Sequence, residues 1–242
     1  TDALAQFGET PEAQQPAQAL RRYRGLANIR IMLAARNLRP QEEEAVREDL
    51  EAAIAADPSD VDSVIALQEW HLFRADVAMR GERPDEAEKL AEKGRGLVRE
   101  FRAKNPGEPR AMLTELGYVL TDARRRASVV TRPEDRQKIV DQLRKEGAAG
   151  LEATAAALGS IDPAKLRASD LAQFASLELQ LDDSGKLTRS LGLIERAVAA
   201  QPQNASLLMA KGTAEELARR YDDSIASFEK VLSLPNQPLG IQ

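Results

Sequence analysis

Few residues in this sequence have side chains suited to acid–base or metal chemistry at neutral pH. His71 is the only histidine, and cysteine is absent, so the usual zinc ligand set of several His and Cys side chains cannot be assembled. A catalytic triad would have to be built around His71 alone. His71 and the adjacent Trp70 lie in a segment of helical periodicity. We interpret both as packing residues, with groove lining or a binding hot spot as the alternative.

Two acidic clusters resemble metal ligands in residue type but not in spacing. Glu42–Glu44 follows Pro40 at the predicted start of a helix, where the helix dipole favours acidic side chains. Asp170 and Asp182–Asp183 lack the alternating ligand spacing of a calcium loop, which indicates a polar turn. We therefore predict no metal site and no cofactor.

The densest basic cluster comprises Arg124–Arg126 with Arg132 and Arg136. Because consecutive residues of a helix point around its axis, this run predicts a solvated surface, with an acidic partner or a phosphate as the alternative. Arg21, Arg22 and Arg24 are interpreted in the same way. No glycine-rich phosphate loop, nucleophile elbow or His-Glu-x-x-His motif occurs. The sequence therefore predicts a protein that is not an enzyme.

The composition predicts an all-α protein rich in Ala, Leu, Glu and Arg, which are strong helix formers. The formal net charge is −5, with cations and anions interspersed, which argues against a nucleic-acid partner because such binding needs a basic face. No apolar run approaches the roughly 20 residues that span a bilayer, so we expect a soluble protein without membrane insertion. Residues 1–16 do not resemble a signal peptide, and the absence of cysteine leaves both cytoplasm and periplasm open.

The clearest organising feature is an internal repeat. Six positions of one helix pair align with six positions 34 residues later in the chain, a spacing that matches a known helical repeat. They are Phe174, Leu177, Ser190, Ile194, Ala197 and Pro202, which correspond to Leu208, Lys211, Ser224, Phe228, Val231 and Asn236. Each copy contains two segments of helical periodicity separated by a polar break, and a proline closes each copy.

Apolar residues at helical spacing also occur along the rest of the chain. This pattern predicts five helix pairs, at 17–57, 59–105, 108–160, 163–202 and 204–235. The second and third pairs are longer than the repeat. In the first helix, apolar residues recur every three or four positions, which predicts a packing face. That face consists of Leu20, Tyr23, Ala27, Ile31 and Ala34. Residues 1–16 are predicted to be a tail, or the end of a preceding repeat.

The period and its marker residues resemble the tetratricopeptide repeat family, most clearly over residues 171–238. Gly212 lies where the family places the glycine that lets neighbouring helices approach, and Gly117 occupies the matching position in an earlier pair. Glu178 and Glu215 depart from the family pattern, standing where a glycine and an aromatic residue are expected. The resemblance implies a right-handed α-solenoid of about five antiparallel helix pairs. Residues 17–160 would form pairs with long helices, and residues 161–242 two regular repeats.

The resemblance also implies a scaffold or adaptor that binds a peptide or partner segment in a concave groove. By the family's spacing, the groove is lined by Asp62, Ile65, Glu69, Phe73, Thr114, Tyr118, Thr121, Ala175, Leu179, Asp182, Met209, Thr213 and Glu216. Some family members grip a C-terminal carboxylate with Lys, Arg and Asn at such positions. Here the residues are mostly acidic, small or apolar, so we expect a protein or peptide partner that offers apolar and basic groups.

Two other functions remain open at the level of the sequence. The chain could be a structural subunit or a fragment of a larger assembly, using its convex face or its end helices; exposed end helices would also permit self-association. It could also be a non-catalytic regulatory module of an enzyme. Concentration-dependent association would favour the structural role, and monomeric behaviour with a free groove would favour the adaptor.

Overall fold

The computed structural model describes residues 11–35, 40–182 and 184–234, without the side chains of residues 11–16, 35, 40, 125–126 and 128–129. Within these ranges the chain forms ten α-helices and one short 3₁₀ turn, and no strand. The helices are α1 (Pro11–Ala35), α2 (Pro40–Ala56), α3 (Val61–Arg80), α4 (Pro84–Lys104), α5 (Pro109–Val129), α6 (Pro133–Ser160), α7 (Ala168–Leu181), α8 (Thr188–Ala200), α9 (Ala205–Leu217) and α10 (Tyr221–Leu232). The all-α prediction and its five helix pairs are confirmed.

Local sequence signals account for many of the helix ends. Pro84, Pro109 and Pro133 open α4, α5 and α6, where a missing backbone N–H costs nothing because the first turn leaves that group unpaired. The side chain of Asn204 caps α9 by accepting a hydrogen bond from the backbone N–H of Leu207, at 3.3 Å. The turns between paired helices are short, which makes consecutive helices neighbours.

The chain divides into two compact units, residues 1–106 and residues 107–242. In the first unit α1 packs against α2, α3 packs against both, and α4 packs against α3. The core of this unit contains Ile29, Met32, Leu50, Leu67 and Trp70. The indole N–H of Trp70 donates to the carbonyl oxygen of Glu43 at 2.8 Å, so this residue packs in the core with its polar group satisfied.

The second unit contains three helix pairs, α5–α6, α7–α8 and α9–α10, with the 3₁₀ turn Pro163–Lys165 between the first two. First helices contact one another in order, α5 with α7 and α7 with α9, and α8 also contacts α9. One continuous core joins these pairs and includes Leu113, Leu151, Phe174, Ile194 and Leu207. Stacking of each pair on the previous one buries the apolar stripes that a single pair would leave in water.

The predicted packing face of α1 is wrong. Leu20, Tyr23 and Ile31 are exposed, and so are Ala27 and Ala34. Ile29 and Met32 are buried instead. This helix has apolar residues on two sides, and α2 and α3 cover the side that carries Ile29.

The N-terminal segment is helical over part of the predicted tail. Of residues 1–16, residues 1–10 lie outside the described part of the chain, and residues 11–16 belong to α1. The run Glu-Ala-Gln-Gln that follows Pro11 consists of good helix formers. The sequence also predicted a division into long helix pairs over residues 17–160 and two regular repeats over residues 161–242. That division stays a prediction.

The two glycines assigned to close helix contacts behave differently. A Cβ atom on Gly212 would lie 2.5 Å from Cε1 of Phe228, so only glycine allows α9 and α10 to approach this closely. A Cβ on Gly117 would meet no atom within 4 Å, so the prediction for Gly117 is wrong. In the α5–α6 pair the contact is made from the second helix, where a Cβ on Gly150 would lie 2.7 Å from Leu116.

Candidate partner-binding surface

The first helices of the second unit present a run of exposed polar and apolar side chains. Thr121 and Arg124 of α5, Ser176 and Gln180 of α7, and Met209, Thr213 and Glu216 of α9 are all exposed. The guanidinium of Arg124 donates to the Oε1 atom of Gln180 at 2.6 Å, which ties α5 to α7 at this surface. We call the exposed residues of α5, α7 and α9 the first-helix surface.

The predicted groove residues of the second unit separate into three groups by exposure. Thr121, Met209, Thr213 and Glu216 are exposed and belong to the first-helix surface. A second group is half-buried and consists of Thr114, Tyr118, Leu179 and Asp182. Ala175 is buried in the core, so its side chain offers no surface to a partner.

The predicted groove residues of the first unit lie together on α3. Asp62, Ile65, Glu69 and Phe73 are all half-buried. Asp62 pairs with Arg22 of α1, with 3.2 Å between the carboxylate and the guanidinium. Phe73 packs against the core cluster, so truncating it would test core stability as well as binding.

Charged residues that the sequence analysis grouped into clusters form ion pairs within the fold. Arg22 makes two hydrogen bonds to Asp60, at 2.6 and 2.9 Å, and Arg24 pairs with Asp49. Glu43 pairs with Arg74 at 2.6 Å. Among the residues that the structure describes, no group of three His, Asp or Glu side chains is arranged to hold a metal ion. None of the described helices is both long and apolar enough to cross a membrane.

His71 is buried, packing edge-to-face against Trp70 with 5.0 Å between ring centroids. Burial lowers its pKa to about 4, and the charge of Lys93 adds to the effect. The imidazole is therefore neutral near pH 7, and its position supports the packing interpretation.

The role of Glu178 was not predicted from the sequence. This residue is buried at the contact between α7 and α8. Its carboxylate accepts hydrogen bonds from the backbone N–H groups of Arg189 at 3.1 Å and Ser190 at 2.9 Å, and from the Ser190 hydroxyl. The Arg189 guanidinium donates to it at 3.1 Å. Glu178 thus caps the first turn of α8 from a neighbouring helix. The sequence offered one sign of this role, because Glu178 stands where the repeat pattern has a glycine.

Glu215 is the second buried acid, and it joins α9 to α10. Its Oε2 atom accepts a hydrogen bond from the Ser227 hydroxyl at 2.6 Å, and Lys211 lies 3.2 Å from its Oε1 atom. Lys211 also lines an open cavity of about 220 Å³ with Val198, Leu208 and Lys230, among other residues. Helical spacing places Leu208 and Lys211 opposite Met209 and Thr213, so this cavity lies on the other side of α9 from the first-helix surface.

Comparison with known proteins identifies the repeat. Residues 180–239 match the tetratricopeptide repeat family model. Residues 180–239 therefore carry tetratricopeptide repeat sequence. Repeats of this family generally mediate protein–protein interactions. No curated protein sequence is significantly similar to the chain.

Among solved structures, the chain is similar to the crystal structure of MamA. The two share 14% sequence identity over 79% of this chain and 88% of that chain, with a TM-score of 0.37. A TM-score this low carries no argument about function. The tetratricopeptide assignment therefore rests on the family match and on the spacing of the repeat.

Proposed function

We propose that this tetratricopeptide repeat chain is a non-catalytic scaffold that binds a peptide or partner helix across the first-helix surface. The observation that carries the proposal is the run of exposed side chains on the consecutively packed helices α5, α7 and α9. A partner segment lying across three adjacent helices would contact side chains from all of them at once. Such a surface needs no chemistry beyond complementary shape and charge.

The residues on this surface indicate the chemistry of the partner. Met209 supplies an apolar contact, Glu216 an exposed carboxylate, and Thr213 and Gln180 supply hydrogen-bonding groups. The Arg124 guanidinium already donates to Gln180. We therefore expect a partner segment with an apolar residue for the Met209 region and a basic residue for Glu216.

A crosslinking pull-down from native extract tests this proposal with two double variants of the full chain. Thr121→Arg with Thr213→Arg places bulk and charge on the first-helix surface. Ala156→Arg with Ala199→Arg introduces the same number of arginines at exposed positions of the second helices α6 and α8. Circular dichroism first verifies that both variants retain the helix content of the parent.

We expect a partner that the parent and the second-helix variant capture and the first-helix variant loses. A partner retained by both variants, or lost equally by both, contradicts binding across the first helices. Once the partner is purified, Glu216→Lys tests its chemistry. The reversed charge should weaken binding of a basic segment by about tenfold, and unchanged affinity would contradict a basic contact at Glu216.

A further inference from the structure

We infer that copies of this chain associate head to tail, with an apolar stripe on α10 of one copy receiving an apolar stripe on α1 of the next. We call the two surfaces the α10 stripe (Tyr221, Ile225 and Leu232) and the α1 stripe (Leu20, Tyr23 and Ile31). This inference does not rest on the proposed partner segment, because it uses neither Thr121 nor Thr213.

The 34-residue repeat provides an internal reference for the α10 stripe. Leu187 and Leu191 are 1% and 5% exposed, and they lie in the same core cluster as Leu207 of α9. Their counterparts one repeat later, Tyr221 and Ile225, are 59% and 56% exposed. The stacking surface that is buried on the α7–α8 pair is therefore open on the α9–α10 pair.

The position of the cavity shows which side of α10 the stripe occupies. Ala226, Ser227 and Lys230 line the cavity together with Val198 of α8, so that side of α10 faces the preceding pair. Helical spacing places Ile225 and Leu232 away from this side. The stripe thus faces the direction in which a further first helix would stack.

The α1 stripe is the complementary surface. Tyr23 and Ile31 are 66% and 53% exposed, although they were the sequence's best candidates for a packing face. The opposite side of α1 already packs against α2 and α3. α1 is the first helix of its pair. Elsewhere in the chain a first helix packs against the preceding pair, as α9 packs against α7 and α8.

The charges beside the stripes favour a contact between an α1 stripe and an α10 stripe over a contact between two α10 stripes. Residues 17–34 contain four arginines and no acidic residue. Arg22 and Arg24 pair with Asp60 and Asp49 within the fold, and the exposed Arg30 flanks the α1 stripe at helical spacing. Asp222 and Glu229, both exposed, flank the α10 stripe. Docking α1 on α10 brings opposite charges to the rim of an apolar contact, whereas pairing α10 with α10 would oppose like charges. A head-to-tail contact leaves one of each stripe open and allows further copies to add.

Sedimentation velocity of the full chain over a range of concentrations tests this inference. We expect reversible association that weakens as salt is raised, because the rim charges are exposed. Ile225→Asp and Ile31→Asp should each weaken association by about tenfold or more, since each puts a charge into the centre of the contact. Ala226→Asp and Gln18→Asp, at exposed positions outside the stripes, should leave association unchanged.

Mixing the two stripe variants gives the decisive result. The Ile225→Asp copy keeps an intact α1 stripe, and the Ile31→Asp copy keeps an intact α10 stripe, so the mixture should form a 1:1 complex and nothing larger. A parent chain that stays monomeric at all concentrations would overturn the inference. So would an Ile31→Asp chain that associates as well as the parent, which would indicate symmetric α10 pairing. Association gained only on deleting residues 235–242 would assign the α10 stripe to that segment, and would also overturn it.

Discussion

The two 34-residue copies, α7–α8 and α9–α10, differ in which helix contributes the larger side chain at one pair of equivalent positions. In the second copy the first helix contributes Gly212 and the second helix contributes the large ring of Phe228, which touches the glycine backbone. In the first copy the same two positions hold Glu178 and the smaller Ile194. The larger side chain at this pair of positions therefore comes from the second helix in the later copy, whereas the first helix contributes Glu178 in the earlier copy.

The polar groups have moved as well. Glu178 of the first copy accepts two backbone N–H groups at the start of α8. In the second copy the buried acid is Glu215, which lies three residues later in the repeat and accepts the Ser227 hydroxyl. The 34-residue period thus specifies where the helices meet, while different residue combinations can occupy the buried contact when the acid there has hydrogen-bonding or charged partners.

The largest expected effect comes from removing the acid of the first copy. Glu178→Ala leaves the α8 amides and part of Arg189 without their acceptor, and should lower the free energy of unfolding by about 3–5 kcal/mol. Glu178→Gln keeps an acceptor oxygen and should cost clearly less. Urea unfolding followed by circular dichroism measures both, and Trp70 fluorescence reports the first unit as an internal control. A loss below about 1 kcal/mol in the Ala variant would contradict the capping role.

The difference in exposure between the copies predicts a second contrast. Leu191→Ala removes a buried side chain and should cost about 2–5 kcal/mol in unfolding free energy. The equivalent substitution Ile225→Ala should change the free energy of unfolding by less than about 0.5 kcal/mol, because Ile225 is exposed in a single molecule. The measurement is urea unfolding at a concentration at which the chain is monomeric. Equal losses at the two positions would mean that the α10 stripe is covered within one molecule.

The close contact at Gly212 predicts an intermediate effect. Gly212→Ala forces the new methyl group against Phe228 and should cost about 1–3 kcal/mol. Adding Phe228→Ile, which copies the first repeat, should recover most of the loss. Gly192→Ala in α8 is the matched control, since its Cβ would meet no atom within 4 Å, and it should stabilise the helix by about 0.5–1 kcal/mol. Thermal unfolding of the four chains tests the set.

The smallest effect concerns Asp182 and its counterpart Glu216. The backbone N–H of Ser184 and the guanidinium of Arg189 lower the pKa of Asp182. A folded pKa below the unfolded value adds stability above the unfolded pKa, and this is lost as pH falls through the folded pKa. Asp182→Asn should therefore cost about 0.5–1 kcal/mol at pH 7 and progressively less as the pH falls through the folded pKa. Glu216→Gln, at an exposed position, should change the free energy of unfolding by less than about 0.5 kcal/mol at pH 7, and a similar loss in both variants would contradict the assignment.

The sequence alone determined the helices, their pairing and the repeat. These features follow from local chemistry, because Pro109, Pro133 and the Asn204 cap act within one turn, and the 34-residue spacing is visible without any contact being known. The resemblance to the tetratricopeptide repeat family predicted that Gly212 permits a close approach in the last repeat. The same resemblance predicted Met209, Thr213 and Glu216 as groove residues of α9.

Only the tertiary structure decided which apolar sides are covered. α1 offers two apolar sides, and its periodicity cannot show that α2 and α3 occupy the side of Ile29 and leave Tyr23 in water. Likewise, Ala175 and Met209 occupy equivalent positions, but Ala175 is buried in the core and Met209 is exposed. The role of Glu178 also depends on a neighbouring helix, because its partners are backbone groups 11 and 12 residues away in sequence. Burial and long-range hydrogen bonding depend on which surfaces meet, and a pattern within one helix does not contain that information.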